Sequence, residues 1–342
     1  MNLLNTLYVT QPDSHLRLDN ETLRVMVGDD TRLRVPLHHL GAVVCMGHVG
    51  LTAPLMHRLA EGGIALVLLD ANGRFKARLE GEIGGNVLLR RAQHRCADDA
   101  DFTLALGRRV AGGKLRNQRH VLLRGARDAS NDNDRAALKR AAQDLAASQR
   151  ALPGAGTLDV VRGIEGEAAR TYFAALPQLL RPQAREHFTM DGRSRRPPRD
   201  RMNALLSFLY TMWMNDCRSA CEAAGLDPQV GYLHALRPGR AALALDLVEE
   251  FRAFADRLAL SLVNRQQLAA SDFVEREGGA VMMQPEARKT VVVAFQERKQ
   301  DLLTHPLLAE PVPLGLVPLV QARLLARHLR GEAALYPPFP MR

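Results

Sequence analysis

The 342 residues exceed one typical core, which points to two domains, or to one small module joined to a larger one. A count of 46 Lys and Arg against 37 Asp and Glu leaves a net charge of +9, so polyanionic partners come first, with nucleic acid ahead of an anionic membrane surface. Apolar stretches such as 64–69 are far too short to span a bilayer, and the start has no charged segment leading into a long apolar one; a soluble, cytoplasmic protein with no membrane partner is expected.

From residue 3 to about 80 the chain alternates in short runs, at 15–19, 22–27 and 31–35, broken by turn residues. Asp19-Asn20, Gly28-Asp29-Asp30 and Asp70-Ala71-Asn72-Gly73 are hairpin or turn signals, and 54–61 reads as one interposed helix. Beyond Gly85 the character changes to long stretches rich in Ala, Leu, Arg and Glu, at 101–124, 134–150, 165–180, 203–224, 243–265 and 319–330. The expected fold is α+β: a small N-terminal β-rich domain over 1–84, a linker over 85–97 and a larger, mainly α-helical domain over 98–342. The segment 181–201 stands out as irregular, with Pro182, Pro197 and Pro198 opposing helix. Cys45, Cys96, Cys217 and Cys221 lack zinc-knuckle spacing and read as reduced packing thiols; Cys217 and Cys221 share a helix face, but a metal site needs two more soft ligands.

Two places could carry chemistry. In Arg162-Gly163-Ile164-Glu165-Gly166-Glu167, glycine punctuates the start of a helical pattern, and Glu165 shares a face with Ala168, Ala169, Tyr172 and Phe173. Either Glu165 is an N-terminal acid interacting with the helix dipole or it is a functional carboxylate on the packed side. The second place is Gly231-Tyr232-Leu233-His234, followed by the basic turn Arg237-Pro238-Gly239-Arg240 and a helix bearing Asp246, Glu249 and Glu250. Asp246 and Glu249 are three residues apart and can face one site, which Glu250 could join at i+4 from Asp246. One imidazole and two or three carboxylates form a hard N/O set suited to Mg²⁺ or Mn²⁺ and to phosphodiester chemistry. The alternative is a hydrogen-bonding histidine beside a turn and acids on a solvated helix face.

Basic residues cluster in three further segments: Lys114, Arg116, Arg119, Arg124 and Arg127; Arg193, Arg195, Arg196, Arg199 and Arg201; and Arg323, Arg327 and Arg330. Either these are ordinary solvated faces or they contact phosphates, for which arginine forks are well matched. Five Tyr, ten Phe and one Trp favour backbone binding of duplex or branched DNA over a single-strand stacking platform.

At these residues the chain resembles the CRISPR-associated endonuclease that serves as the integrase of spacer acquisition. The resemblance runs through Lys114-Leu115-Arg116-Asn117-Gln118, Gly163-Ile164-Glu165-Gly166, Arg196-Pro197-Pro198-Arg199-Asp200, Asn203-Ala204-Leu205-Leu206-Ser207 and Gly231-Tyr232-Leu233-His234. It continues through Leu245-Asp246-Leu247-Val248-Glu249-Glu250-Phe251-Arg252 and 321–327 to Tyr336-Pro337-Pro338-Phe339, nearly full length; Asn5-Thr6-Leu7-Tyr8-Val9-Thr10 and the tail look like the type I-C branch. It implies one divalent metal on Glu165, His234 and Glu249, with Asp246 an additional acid near the site. Further implied are attack of an incoming 3′-hydroxyl on the repeat backbone, a homodimer, a small ferredoxin-like companion protein and an iron-sulfur nuclease that trims the incoming ends. DNA contacts are expected from Lys114, Arg116, Arg119, Arg193, Arg195, Arg196, Arg199, Arg237, Arg240, Arg323 and Arg327. Two other functions use the same residues: an autonomous repair nuclease for branched or single-stranded DNA, and a non-catalytic basic scaffold.

Overall fold

The structure is a computed structural model and describes residues 5–71, 73, 75–79, 81 and 87–341. It divides into two compact units, Met1–Gly84 with Met283–Gln300, and Gly85–Met282 with Asp301–Arg342.

The first unit is built on strands β1 (Asn5–Val9), β2 (Ser14–Asp19), β3 (Thr22–Val27), β4 (Asp30–Pro36), β5 (Leu40–Met46) and β6 (Val49–Leu51), helix α1 (Ala53–Glu61), and strands β7 (Ala65–Leu69) and β8 (Phe75–Leu79). One sheet runs β4-β3-β2-β6, an antiparallel meander with β6 added parallel to β2; the other runs β1-β5-β7-β8, with only β8 antiparallel. The hairpin signals act as expected. Asp19 pairs with Thr22 across a turn in which Asn20 takes φ +52°, and Val27 pairs with Asp30 across Gly28 at φ +59°, the left-handed conformation that tight hairpins require. Asn72 of the third turn lies outside the described residues, as does the Gly84-Gly85 connection. Alternation along β2 and β3 turns Leu16 and Leu23 into a core shared with Val43, Leu55, Leu59 and Leu66.

The second unit is helical: α2 (Val87–Asp98), α3 (Ala100–Asp128), α4 (Asp132–Ala151), α5 (Leu158–Ala175), the single turn α6 (Pro182–Arg185), α7 (Arg201–Ala223) and α8 (Ala242–Asn264), then the hairpin β9 (Phe273–Arg276) and β10 (Ala280–Met283). After helix α9 (Pro285–Gln300) come the short pair β11 (Leu302–Thr304) and β12 (Pro311–Pro313), and α10 (Val317–Leu329). Four helices start at side-chain caps: Asp99, Asn131, Thr157 and Asp200 accept from the N–H groups of Phe102, Asp134, Val160 and Asn203. Helix α8 is central, packed against α3, α7 and α10, and none of its residues is exposed.

The α+β architecture therefore holds, with three corrections of detail. Most of the expected linker is helix α2, with Leu89 and Gln93 buried. The C-terminal part is not continuous, because 283–300 belongs with the first unit, where α9 buries Val291 and Phe295. Helix α5 starts at Leu158, so Glu165 lies in its third turn and not at its N-terminus. Gly163 and Gly166 have no neighbour within van der Waals reach of an added Cβ and simply continue the helix, whose packing against α3 and α4 outweighs their low propensity. That position removes the helix-dipole account of Glu165.

Candidate active site

The site begins with a carboxylate that organises a loop. Asp246, 2% exposed in the second turn of α8, receives the backbone N–H groups of Tyr232 (2.6 Å), Leu233 (3.0 Å) and His234 (2.9 Å). Gly231 makes this approach possible, since a Cβ there would lie 2.8 Å from Asp246 Oδ2 and 2.6 Å from the Ala242 carbonyl carbon. Arg162 of α5 braces the same loop by donating from Nε to the Leu233 carbonyl at 2.7 Å.

The fourth partner of Asp246 is His234 Nδ1, at 2.7 Å. A carboxylate already receiving three N–H groups is an acceptor, so Nδ1 carries a proton and donates to it. The Nε2 edge faces Glu249, 3.7 Å from Oε1. Asp246 thus lies one step behind the site and holds the imidazole, while Glu249, one turn along α8, reaches the site directly.

Glu249 is 2% exposed and meets two cations. Arg252 of the same helix donates to Oε1 from Nε (2.8 Å) and pairs with it from Nη2 (2.7 Å). Lys114, from the middle of α3 and 4% exposed, places Nζ 2.6 Å from Oε2 and donates a hydrogen bond to Glu165 Oε1. Burial works against ionisation of Glu249, but Arg252, Lys114 and His234 together outweigh it and hold the carboxyl well below the usual carboxylate range. Oε2 has its ion pair with Lys114 but no hydrogen bond.

Glu165 and Glu249 therefore meet at the Lys114 ammonium, and His234 Nε2 lies on the Oε1 side of Glu249. Among the described residues no group of three His, Cys, Asp or Glu side chains is gathered tightly enough to hold a metal ion as it stands. The donors still fit a hard divalent cation in kind: two carboxylates and one imidazole nitrogen, with the buried Glu249 Oε2 already paired to a positive charge.

A cavity of about 420 Å³ adjoins this position, and Arg162, Arg195, Arg237 and Arg240 form part of its wall. Burial, with Arg237, Arg162 and Arg196 close by and opposed by Asp246, pulls the Arg240 guanidinium below its ordinary value. Arg195, Arg196, Arg199 and Arg237 are exposed. Of the other expected DNA contacts, Lys114 lines this cavity, whereas Arg116, Arg119, Arg193, Arg323 and Arg327 do not. Arg116 donates to the Pro338 carbonyl, Arg119 to the Ala142 carbonyl, and Arg323 and Arg327 lie on the exposed face of α10, with Arg327 3.5 Å from Glu332. Arg193 turns inward. It donates to the Ser194 carbonyl, Asn203 Oδ1 (2.5 Å) and Ser207 Oγ (3.0 Å), and its guanidinium lies 5.3 Å from the Tyr210 ring centre, so it holds the irregular segment together.

Glu250 does not join Asp246. Fully buried on another side of α8, it accepts from Tyr336 Oη, from Gln321 Nε2 (2.7 Å) and from the Phe339 N–H (2.7 Å), and burial pushes it up to about 7 against those bonds. It anchors the C-terminal tail. Sequence reasoning missed Arg252 and Arg162 as site residues; the Glu249-to-Arg252 spacing of three was the one local signal for the first.

The cysteines match expectation: Cys45, Cys217 and Cys221 are buried and none of the four is in a disulfide. Among the described residues no helix is long and apolar enough to cross a membrane.

Comparison with known proteins bears on family and fold. The family model for CRISPR associated protein Cas1 matches residues 7–297. A CRISPR-associated endonuclease Cas1 of Moorella thermoacetica is 55% identical over 341 residues, covering 99% of both chains, and one of Rhodospirillum rubrum is 51% identical over 342 residues, covering 98% of both. A Cas4/Cas1 fusion of Rhodospirillum rubrum is 35% identical over 334 residues, 97% of this chain and 57% of the fusion. The fold is shared with a casposase bound to integration product (TM-score 0.83, 18% identity, 98% of this chain and 93% of that one). It is shared also with a chain of a Cas6-RT-Cas1–Cas2 complex (TM-score 0.83, 24% identity, 99% of this chain and 36% of that one). With half or more of its residues identical to these full-length relatives, the chain belongs to the Cas1 family of CRISPR-associated endonucleases.

Proposed function

We propose that this chain is the DNA integrase of CRISPR adaptation, acting in the cytoplasm to join the 3′-hydroxyl of spacer DNA to the backbone of the repeat. The observation that carries this reading is the meeting of Glu165 and Glu249 at the Lys114 ammonium, with His234 Nε2 3.7 Å from Glu249 Oε1, beside an arginine-walled cavity. Glu165, His234 and Glu249 would hold Mg²⁺ or Mn²⁺, which when bound activates a hydroxyl and stabilises charge on a phosphate oxygen.

The chain's own residues supply the rest. Asp246 fixes the histidine tautomer and the loop that carries it; Arg162 fixes that loop from α5. Arg195, Arg237 and Arg240 hold phosphates and so orient the attacking hydroxyl, with Arg196 and Arg199 extending the basic surface. In the joining step a new bond forms between the spacer 3′-oxygen and the repeat phosphorus, the bond to the 3′-oxygen of the repeat strand breaks, the attacking hydroxyl gives its proton to solvent and the leaving oxygen takes one up. No side chain becomes covalently attached. Water in place of the hydroxyl makes the same site cut DNA.

The partners proposed are a second copy of the chain, the small ferredoxin-like companion and an iron-sulfur end-trimming nuclease. The Cas1–Cas2 complex and the Cas4/Cas1 fusion among the similar proteins support the two latter. The type I-C branch is part of the same proposal and rests on the N-terminal string and the tail.

The test incubates the protein, with and without the companion, with a supercoiled repeat-bearing plasmid and a short duplex labelled on its 3′-hydroxyl strand, in Mg²⁺ or Mn²⁺. Label is expected at the repeat boundaries, and is expected to be lost in Glu165→Gln and His234→Ala. Metal-dependent nicking without transfer under every partner combination would replace the integrase by a nuclease.

A further inference from the structure

The chain has 46 Lys and Arg, of which only Lys76, Lys114, Lys139, Lys289 and Lys299 are lysines. Every other cation in and around the site is an arginine, yet the group between Glu165 and Glu249 is Lys114. The difference is physical. An arginine fork locks onto a carboxylate in fixed directions, as Arg252 does on Glu249, whereas an ammonium is a compact point charge on a flexible four-carbon stem. The contact of Lys114 with Glu249 Oε2 has this character, an ion pair at 2.6 Å without a hydrogen bond.

We propose that Lys114 is an internal counter-charge, holding Glu165 and Glu249 together in the metal-free protein and swinging out when a divalent cation takes its place. The proposal rests on the reading of Glu165, His234 and Glu249 as a cation site. Arg252 neutralises one of the two carboxylates, and without a second positive charge the pair would repel and open. Lys114 supplies that charge, so the donors are gathered before the metal arrives. Ammonium and divalent ion repel, and they cannot share the position. The displaced side chain has somewhere to go, because Lys114 itself lines the 420 Å³ cavity. There its ammonium joins the arginine wall and faces bound phosphates, so one residue serves first the empty site and then the substrate.

The consequence is a competition. Apparent affinity for metal is the intrinsic affinity multiplied by the fraction of molecules in which the ammonium has left, and removing the ammonium restores it. Mn²⁺ alone is titrated into the full chain and the free ion is read by electron paramagnetic resonance. Lys114→Met is expected to bind Mn²⁺ at least tenfold more tightly than wild type, and adding Glu165→Gln is expected to abolish that binding. Equal or weaker binding by Lys114→Met overturns the displacement and leaves the metal reading standing. No Mn²⁺ binding sensitive to Glu165→Gln in any variant overturns the metal reading and the proposal with it.

A second measurement uses unmodified protein, so it does not depend on the variant folding. Pulse acylation of amines followed by peptide mapping reports each of the five lysines separately. Lys114 is expected to be protected without metal and to gain label severalfold at saturating Mn²⁺, while Lys139 stays constant. Unchanged protection of Lys114 with Mn²⁺ bound refutes the swing.

Discussion

Replacing Asp246 by Asn changes one oxygen to an NH₂ group at a carboxylate that receives four hydrogen bonds. With the amide oxygen kept at the Oδ2 position, the N–H groups of Tyr232 and Leu233 retain their acceptor. The NH₂ then faces the His234 N–H, at 2.9 Å in the native structure, and His234 Nδ1, at 2.7 Å. Two donors cannot share that space, so the backbone N–H loses its partner and the imidazole proton moves to Nε2. A buried donor left unsatisfied costs about 1–3 kcal/mol, and the remaining bonds lose their charge assistance, so a total near 3 kcal/mol is expected. The chain's single tryptophan, Trp213, stacks 4.9 Å from Phe251 of α8, so its fluorescence follows unfolding of the helical unit in urea. Nitrogen-15 NMR of the imidazole reads the tautomer independently. A loss under about 1 kcal/mol with unchanged m-value, or an imidazole still protonated on Nδ1, would refute the assignment of Asp246 as the group that sets His234.

The cavity wall and the helix face of α10 make separable predictions for DNA. Replacing Arg195, Arg237 and Arg240 together by Ala should weaken duplex binding and reduce the slope of log K against log salt by about 2–3, following the phosphates released. The same slope as wild type in filter-binding titrations would remove these residues from the interface. Asp256 supplies a pH test. Burial pushes its carboxyl up to about 6, against the hydroxyls of Tyr210 and Tyr172 and the charges of Arg252 and Arg193. A pKa raised above the unfolded value means that the folded state holds the proton more tightly. The stabilisation is present below about pH 4 and is lost as pH rises through about 6, in total about 3 kcal/mol. Urea unfolding should show wild type falling relative to Asp256→Asn across that window; parallel curves would contradict it.

Much of the β-rich unit was legible because its signals are local. Asn20 and Gly28 sit where two-residue hairpins need positive φ, and Pro54 falls in the first turn of α1. The long helices were legible from composition, but the start of α5 was not, because the glycines flanking Glu165 were given more weight than Thr157, the cap eight residues earlier. Spacing put Asp246 and Glu249 on one side of α8 and could not say which would touch the site and which would hold the histidine. That division depends on the loop at Gly231, where a missing Cβ decides how near the backbone comes. Lys114 and Arg193 looked like members of basic strings, with nothing in their neighbours to set them apart. Their partners are distant in sequence, Glu249 for one and Asn203, Ser207 and Tyr210 for the other, and only folding reveals that both are inside.

Helix α8 raises a harder question, because acids on an apolar helix belong on a solvated face and this helix has none. Asp246, Glu249, Glu250, Arg252 and Asp256 are all buried, and well-packed apolar side chains would cost less desolvation. What the polar groups provide is direction. Asp246 ties down the histidine loop, Glu249 meets α3 through Lys114, Glu250 receives the tail at Tyr336 and Phe339, and Asp256 accepts from Tyr172 of α5 and Tyr210 of α7. Apolar contacts made by Leu247, Phe251 and Phe254 tolerate small slips, whereas hydrogen bonds at these distances do not. Glu165, His234 and Lys114 come from three segments that share no local sequence, and each segment is fixed to the same rod by at least one such bond or ion pair. The buried charge on α8 is therefore best understood as the means by which distant parts of the chain are held in register at the site.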